Sequence, residues 1–198
     1  TTDNNDLIAL SIATSMGASD IDNLNLAAGK TGSTVTGTLT ASATQAAGLT
    51  SSGTDAITVN LSAGTSQAST LNTIDQRTSV PINASLITSI DGSISDITTA
   101  RNSAGINTDS DYTSTVSGTI TSSGDLTNLN SLVVETSGVV SATLSGSTSY
   151  VDGLSSDSND SNQLIKFGFN VHETNLVMNN TQSKNKLAQE IIQLLEST

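Results

Sequence analysis

The sequence contains no cysteine and no tryptophan, and its 198 residues include one proline, one histidine, two phenylalanines and two tyrosines. Without cysteine there is no disulfide framework, which is compatible with an extracellular protein that avoids thiols. Because only 2% of the residues are aromatic, the chain lacks the large side chains that fill the core of a compact enzyme. Its core must therefore be thin.

Catalytic motifs are also missing from the sequence. It has no serine nucleophile elbow, no phosphate-binding glycine loop and no paired-histidine metal motif. The single histidine, His172 in FNVHETN, is more typical of a surface or packing residue than of a catalytic base. We therefore predict that the protein is not an enzyme.

Basic residues are scarce, with six against 18 acidic residues and a net charge of −12. Such a surface repels nucleic-acid backbones and anionic lipids, so neither is an expected partner. The sequence has no apolar run long enough to cross a bilayer. It begins without methionine or a cationic leader, and we expect a soluble mature chain or an excised fragment.

Serine and threonine supply about a third of the chain, and hydrophobic residues 34%. A composition this poor in apolar residues also suits a disordered chain. The single proline, the charged fraction of 12% and recurrent alternation of β-branched residues favour a folded one.

Two stretches of the chain resemble each other, DLIALSIATSMGASDIDNLN (6–25) and DAITVNLSAGTSQASTLNTID (55–75). In the first half of each, apolar residues alternate with polar ones, which predicts a strand with one buried face. In the second half they recur every three residues, which predicts helical turns. The matched positions are Ile8, Leu10, Ile12, Ala18, Ile21 and Leu24 in the first stretch, and Ile57, Val59, Leu61, Ala68, Leu71 and Ile74 in the second.

Weaker copies of this strand-and-helix unit follow along the chain. The first inward residues fall at positions 8, 35, 57, 80, 116, 140 and 165, at intervals of 22 to 27 residues with one interval of 36. The long interval predicts an inserted helix over 94–104, ended by Gly105. Recurrence at this spacing favours a mainly β repeat solenoid of about seven coils with parallel strands. The alternative is a β-sandwich, whose strands usually recur at shorter spacing with tight hairpins.

The pattern divides the chain into a repeat solenoid over 1–162 and an atypical terminal part over 163–198. The terminal part contains Phe167 and Phe169 in a last coil, followed by an amphipathic helix. That helix either caps the last coil or pairs with other subunits. Its apolar face comprises Leu187, Ile191, Leu194 and Leu195.

One family resemblance is visible in the repeats. The succession ASTLNTIDQRTSVPINASLITSIDGSISDITTARNSAGI, followed by TVSGTIT and TSGVVSATLSG, resembles the Thr/Ser/Ala-rich repeat regions of very large cell-surface or secreted proteins of marine cyanobacteria. It covers roughly residues 6 to 154. The resemblance implies a structural role at the cell surface or outside the cell, and it supplies no catalytic or ligand residues.

Two acidic clusters are candidates for calcium, which prefers hard oxygen ligands. Asp109 and Asp111 form the first, and Asp152, Asp157 and Asp160 the second. Neither has the twelve-residue calcium-loop spacing, so a solvated polar linker is the favoured interpretation of each cluster and calcium the alternative. Calcium is the one candidate cofactor.

Binding to a surface is the alternative to a purely structural role. Tyr112 and Tyr150 are the aromatic candidates for contact with a glycan, and alternate threonines in TVTGTLT and TSTVSGTIT are candidates for an ice-binding ladder. A component of a virion fibre would have a similar composition.

Together these patterns predict a non-enzymatic structural subunit or repeat module of an extracellular assembly: a surface layer, a filament or fibre, or an adhesin stalk. Because a solenoid exposes unpaired backbone groups at its ends, we expect a homo-oligomer formed through subunit ends. The predicted location is extracellular, at the cell surface.

Overall fold

A computed structural model of the chain describes residues 9–145, 153–154, 163–168 and 176–178. The chain divides into two compact units. Unit 1 comprises Thr1–Ile90 and Thr99–Asp109, and unit 2 comprises Asp91–Thr98 and Ser110–Thr198.

The described residues form strands interspersed with short helices. The strands of the described residues are β1 (Leu10–Gly17), β2 (Val35–Ala41), β3 (Ala56–Leu61), β4 (Gly64–Gln67), β5 (Ile82–Ala84), β6 (Ile87–Ser93), β7 (Ile106–Thr108), β8 (Ser114–Ile120), β9 (Val140–Ser145), β10 (Gln163–Gly168) and β11 (Leu176–Met178). The α-helices are α1 (Ile21–Ala28), α2 (Ala43–Ala46), α3 (Ala68–Asp75), α4 (Ile94–Asn102) and α5 (Ser123–Glu135), with a short 3-10 helix, Ala18–Asp20, leading into α1.

Unit 1 contains a parallel sheet, named sheet 1, with the order β1-β2-β3-β5-β7 among the described residues. Each strand pairs with the strand one repeat further along the chain. Asn60 is in register with Asn83, and Ile82 with Ile106. Strand β4 lies beside the first part of β6, where the Gly64 N–H donates to the Leu86 carbonyl at 3.3 Å.

Alternation of apolar and polar residues explains the inner face of sheet 1. Val35, Leu39 and Ala41 of β2 are buried, as are Ile57, Val59 and Leu61 of β3. Helices α1 and α2 contact these strands, and each buries the apolar residues that recur at helical spacing. Small helix residues such as Ala43 and Ala46 allow the helices to approach the sheet closely. The core of unit 1 is therefore built from aliphatic residues on strands and helices.

Unit 2 continues the same pattern within its described residues. Strand β8 pairs with β9 and β9 with β10, all in parallel, and β11 pairs with β10 in the antiparallel direction. Helix α5 begins after Ser122, whose Oγ accepts a hydrogen bond from the Asp125 N–H at 3.0 Å. It buries Leu126, Leu129, Leu132 and Val133.

The expectation of parallel strands is confirmed, but a mainly β class is wrong. The fold is of the α/β type, with parallel strands in two sheets and five α-helices between strands in the described residues. Six strand pairs of residues 10–145 are parallel, namely β1–β2, β2–β3, β3–β5, β5–β7, β6–β8 and β8–β9, whereas a sandwich is built from antiparallel hairpins. The apolar positions that recur every three residues lie on helices, and several of them, such as Leu24, Leu71 and Leu129, are fully buried.

The long interval of 36 residues does not hold an insertion. It contains β7, which pairs with β5 and is preceded by α4, so the interval divides into two ordinary strand-and-helix units. The predicted helix over 94–104 matches α4, which ends at Asn102. Strand β7 was missed because it is three residues long and none of its residues is fully buried.

The match of the opening stretch to residues 55–75 is correct for the helix and wrong for the strand. Ile21 and Leu24 are buried like Leu71 and Ile74. In β1, however, Met16 pairs with Leu39 and is the buried residue, whereas Leu10 is 37% exposed. A bulge between Ser11 and Ser15 shifts the register, which a strict period of two cannot anticipate.

Several predictions about the C-terminal part concern residues outside the described ranges. These include the amphipathic helix with Leu187, Ile191, Leu194 and Leu195, as well as His172 and the proposed boundary at residue 162. They stay predictions. No helix in the described part of the chain has the length and apolar character needed to cross a bilayer.

The two faces of β3 provide a direct test of this register. Val59 is completely buried and Thr58 is exposed. We expect Val59→Asp to lower the free energy of unfolding by about 4 kcal/mol or more, because it buries an unpaired charge. Thr58→Asp should change it by less than about 1 kcal/mol. Thermal melting followed by circular dichroism measures both, and equal effects of the two substitutions would contradict the register.

Candidate functional site

The outer face of sheet 1 consists mostly of uncharged polar residues, with Ala56 beside Thr36 as an apolar exception. Residues between the buried positions of each strand point outward, and the parallel register aligns them in rows across the sheet. One row contains Ser15, Thr38 and Thr58, and a second contains Thr40, Asn60, Asn83 and Asn107. Residues on this face are exposed or half-buried.

The three asparagines of the second row form a ladder. The Asn83 Nδ2 donates to the Asn60 Oδ1 at 3.3 Å. The Asn83 Oδ1 in turn accepts from the N–H of Ser85 at 3.2 Å and from its Oγ at 2.8 Å. These bonds fix the orientation of the Asn83 amide although the residue is exposed. Asn107 extends the row at the next strand.

This face carries no charge, although the chain has 18 acidic residues. None of the residues in β1, β2, β3, β5 or β7 is ionisable. Carboxylates of unit 1 lie in loops and helices instead, for example Asp22, Asp75 and Asp109. The outer face of sheet 1 is thus a neutral patch on an acidic protein.

Polar side chains on the helices bind the loop of the following repeat. The Asn25 Nδ2 donates to the Gly48 carbonyl at 2.8 Å, and its Oδ1 accepts from the Thr50 N–H at 2.8 Å. In unit 2 the Asn130 Nδ2 donates to the Gly153 carbonyl at 2.7 Å, again 23 residues further along the chain. The signal for this pair was present in the sequence, since Asn-Leu-Asn occurs at 23–25 and 128–130 with the central leucine fully buried in both.

Hydroxyls that follow the helices bind the preceding repeat. The Oγ1 of the buried Thr78 donates to the Ile57 carbonyl at 2.7 Å and accepts from the Ile57 N–H at 3.1 Å. Thr136 is equally buried, and its Oγ1 donates to the Tyr112 carbonyl. Both threonines precede a serine, Ser79 or Ser137, whose N–H donates to a carbonyl of that same preceding repeat.

Asp55 is the one acidic residue among the buried polar residues of the described chain, with 3% of its surface exposed. Its carboxylate accepts hydrogen bonds from the N–H of Val35 at 2.8 Å and of Ser52 at 2.9 Å. The charge is therefore compensated by backbone donors, one of them on the preceding strand. Asp55 therefore joins the start of β3 to the start of β2.

Two of the five predicted calcium ligands lie within the described residues. Asp109 and Asp111 are both exposed, the first at the end of β7 and the second ahead of β8. Asp152, Asp157 and Asp160 lie outside the described residues. No group of three acidic, histidine or cysteine side chains with metal-binding geometry occurs in the part of the chain that the structure describes. Calcium at these residues stays a prediction.

Tyr112 is not available as an aromatic platform for a sugar. It is buried, with 3% of its surface exposed, and its hydroxyl donates to the Glu135 Oε1 at 3.4 Å. Contact with a glycan requires an exposed ring, but Tyr112 lies two residues before β8 and is part of the core of unit 2. Tyr150, the other candidate, lies outside the described residues.

A shallow groove runs along the outer surface of α5. It is lined by Thr127, Asn130, Ser131, Val134 and Glu135. These side chains include one carboxylate and two hydroxyls but no base or second acid beside them, so the groove has no set of groups for acid-base or nucleophilic catalysis. Asn130 is already engaged with the Gly153 carbonyl.

Comparison with known proteins adds no family to this description. No protein-family model, no curated protein and no solved structure matches the chain.

The Asn25 contacts provide a second test of the repeat packing. We expect Asn25→Ala to lower the free energy of unfolding by about 1–2 kcal/mol more than Asn23→Ala, because it removes two hydrogen bonds to the next loop. Asn23 is exposed on the same helix, so the gain in helix propensity on mutation to alanine cancels between the two variants.

Urea denaturation measures the stability difference, and hydrogen exchange gives a local readout. The Thr50 amide should exchange faster in Asn25→Ala than in Asn23→Ala, because its acceptor has been removed. Equal exchange rates in the two variants would show that the Asn25 side chain does not hold this loop.

Proposed function

We propose that the chain is a non-enzymatic structural module of an extracellular assembly, such as a surface layer, a filament or fibre, or an adhesin stalk. Its strand-and-helix units are the coils of a repeat solenoid, each built to stack on the next. The resemblance to repeat regions of large cyanobacterial surface proteins agrees with this role.

The observation that carries the proposal is the similar sequence offset between paired residues in successive strand pairs. Strand partners in the parallel pairs of both units are separated by 20 to 26 residues. Side-chain bonds such as those of Asn25, Asn130 and Thr78 span similar separations of 21 to 25 residues. Many polar side chains therefore form hydrogen bonds between one repeat and the next. This is expected of an elongated repeat protein with a structural role.

The end of the stack supports association with another subunit. Strand β1 is at the edge of sheet 1 in the described residues. The Leu10 N–H donates to the Thr34 carbonyl at 3.3 Å, so the N–H of the following Ser11 points to the open side of the strand. Unpaired donors of this kind are templates for a further strand. The bulge between Ser11 and Ser15 shortens the regular edge, and association through it is therefore weak and concentration-dependent.

Proline substitutions on β1 test this association. Ser11→Pro removes an outward N–H and fits an edge strand, so we expect it to lower the average particle mass at micromolar to millimolar concentration without changing the melting temperature. Leu10→Pro is the matched control, because it removes an N–H that pairs with β2 and should destabilise the strand itself.

Multi-angle light scattering measures the mass, and electron microscopy of native material identifies a lattice or filament. A chain that remains monomeric over the whole concentration range would contradict assembly through β1. Glycan-dependent binding of the intact chain to a cell surface, without any particle larger than the monomer, would replace the structural role with a binding one.

A further inference from the structure

The neutral outer face of sheet 1 has a geometry suited to one particular surface. We propose that this face, defined by the outward residues of β2, β3, β5 and β7, adsorbs to ice. The proposal goes beyond a structural role and does not depend on assembly of the chain.

Spacing on the face is the first argument. Outward residues repeat at about 4.8 Å between strands and about 6.6 Å along a strand, so the face presents hydrogen-bonding groups on a two-dimensional grid, as a face of an ice crystal does. The register places Thr38 beside Thr58 and Thr40 beside Asn60. Along each strand the two outward positions are two residues apart, so the four side chains form a grid. Asn83 and Asn107 prolong the second row over two more strands.

Chemistry of the rows is the second argument. Threonine hydroxyls and asparagine amides each hold water by hydrogen bonds, and the threonine methyls favour ordered water over bulk water. Because none of these positions is charged, no carboxylate with a tightly held hydration shell interrupts the array. The rest of the chain bears a net charge of −12, which keeps the other surfaces hydrated by liquid water.

Rigidity of the face is the third argument. A surface that orders water must not have to lose side-chain freedom when it meets ice. Thr38 and Thr58 are β-branched and restricted at χ1, and the Asn83 amide is held by Asn60 and Ser85. The backbone beneath them is fixed by parallel pairing on both sides of β2, β3 and β5.

A second copy of the chain is the competing occupant of this face. The outward residues are small and polar, and they offer little apolar area to bury against a partner. Exposed large apolar residues of unit 1, such as Leu26 and Leu86, lie on α1 and in the loop before β6 rather than on this face. The face therefore suits a lattice of water better than a protein surface.

Thermal hysteresis and inhibition of ice recrystallisation test the proposal on the intact chain. Thr58→Tyr places a bulky ring in the centre of the grid, where an outward aromatic residue is compatible with a strand. We expect both activities to fall several-fold in this variant. Thr44→Tyr makes the same chemical change at an exposed position of α2 and should leave both activities as they are. Asn83→Tyr on β5 provides a second disruption of the face if Thr58→Tyr melts below the intact chain.

The proposal is overturned if the intact chain shapes ice no more than an unrelated acidic protein of equal mass. It is also overturned if Thr58→Tyr and Thr44→Tyr lower the activities equally. A change of particle mass in Thr58→Tyr by light scattering, with ice growth unaffected, would assign the face to contact between copies instead. The Ser11→Pro experiment is carried out in liquid solution, so failure of the structural role and failure of ice adsorption give separate readouts.

Discussion

Parallel pairing between strands one repeat apart is the constraint on which the other features of this protein depend. It places residues separated by 20 to 26 positions side by side, and it does so with both strands pointing in the same direction. Each side chain must therefore be compatible in size and charge with the side chain at the same position of the neighbouring repeat. Inward rows must be aliphatic and of compatible size, and outward rows must avoid repulsion between like neighbours.

A core with almost no aromatic residues is sufficient under this constraint. Each repeat contributes a few aliphatic side chains, such as Ile57, Val59 and Leu71, and each buried Leu, Ile or Val stabilises the fold by about 1.5–3 kcal/mol. Some polar residues are buried as well. Thr78 and Asp55 are buried because the backbone of an adjacent repeat supplies their hydrogen-bond partners, so burial does not leave them unsatisfied.

The amino-acid pattern predicts those strands and helices whose apolar residues recur with a regular period. Strands β2 and β3, and helix α4 inside the long interval, follow from period two or from the spacing of helical turns. The three-residue strand β7 could not be predicted because its existence depends on pairing with β5 rather than on its own residues. The bulge in β1 and the side-chain bonds of Asn25 and Thr78 are similarly non-local. The neutral face was visible in the sequence only as scattered threonines, since its rows appear once the register is known.

Absence of charge on sheet 1 has a physical origin that precedes any binding role. In an in-register parallel stack, an outward carboxylate would lie about 4.8 Å from the same position of the next strand, and conserving the repeat would bring like charges together. The acidic residues are instead placed where backbone donors or hydroxyls compensate them, as with Asp55 and with Asp96 beside Ser93, or where solvent surrounds them, as with Asp111. Repulsion between like charges on neighbouring strands thus keeps charged residues off the outer face of sheet 1, and the described acidic residues of unit 1 lie in loops and helices. As a result, another uncharged surface can contact the outer face of sheet 1 without removing water from a charged group. The register that stabilises the repeats also arranges the outward side chains of that face in regular rows.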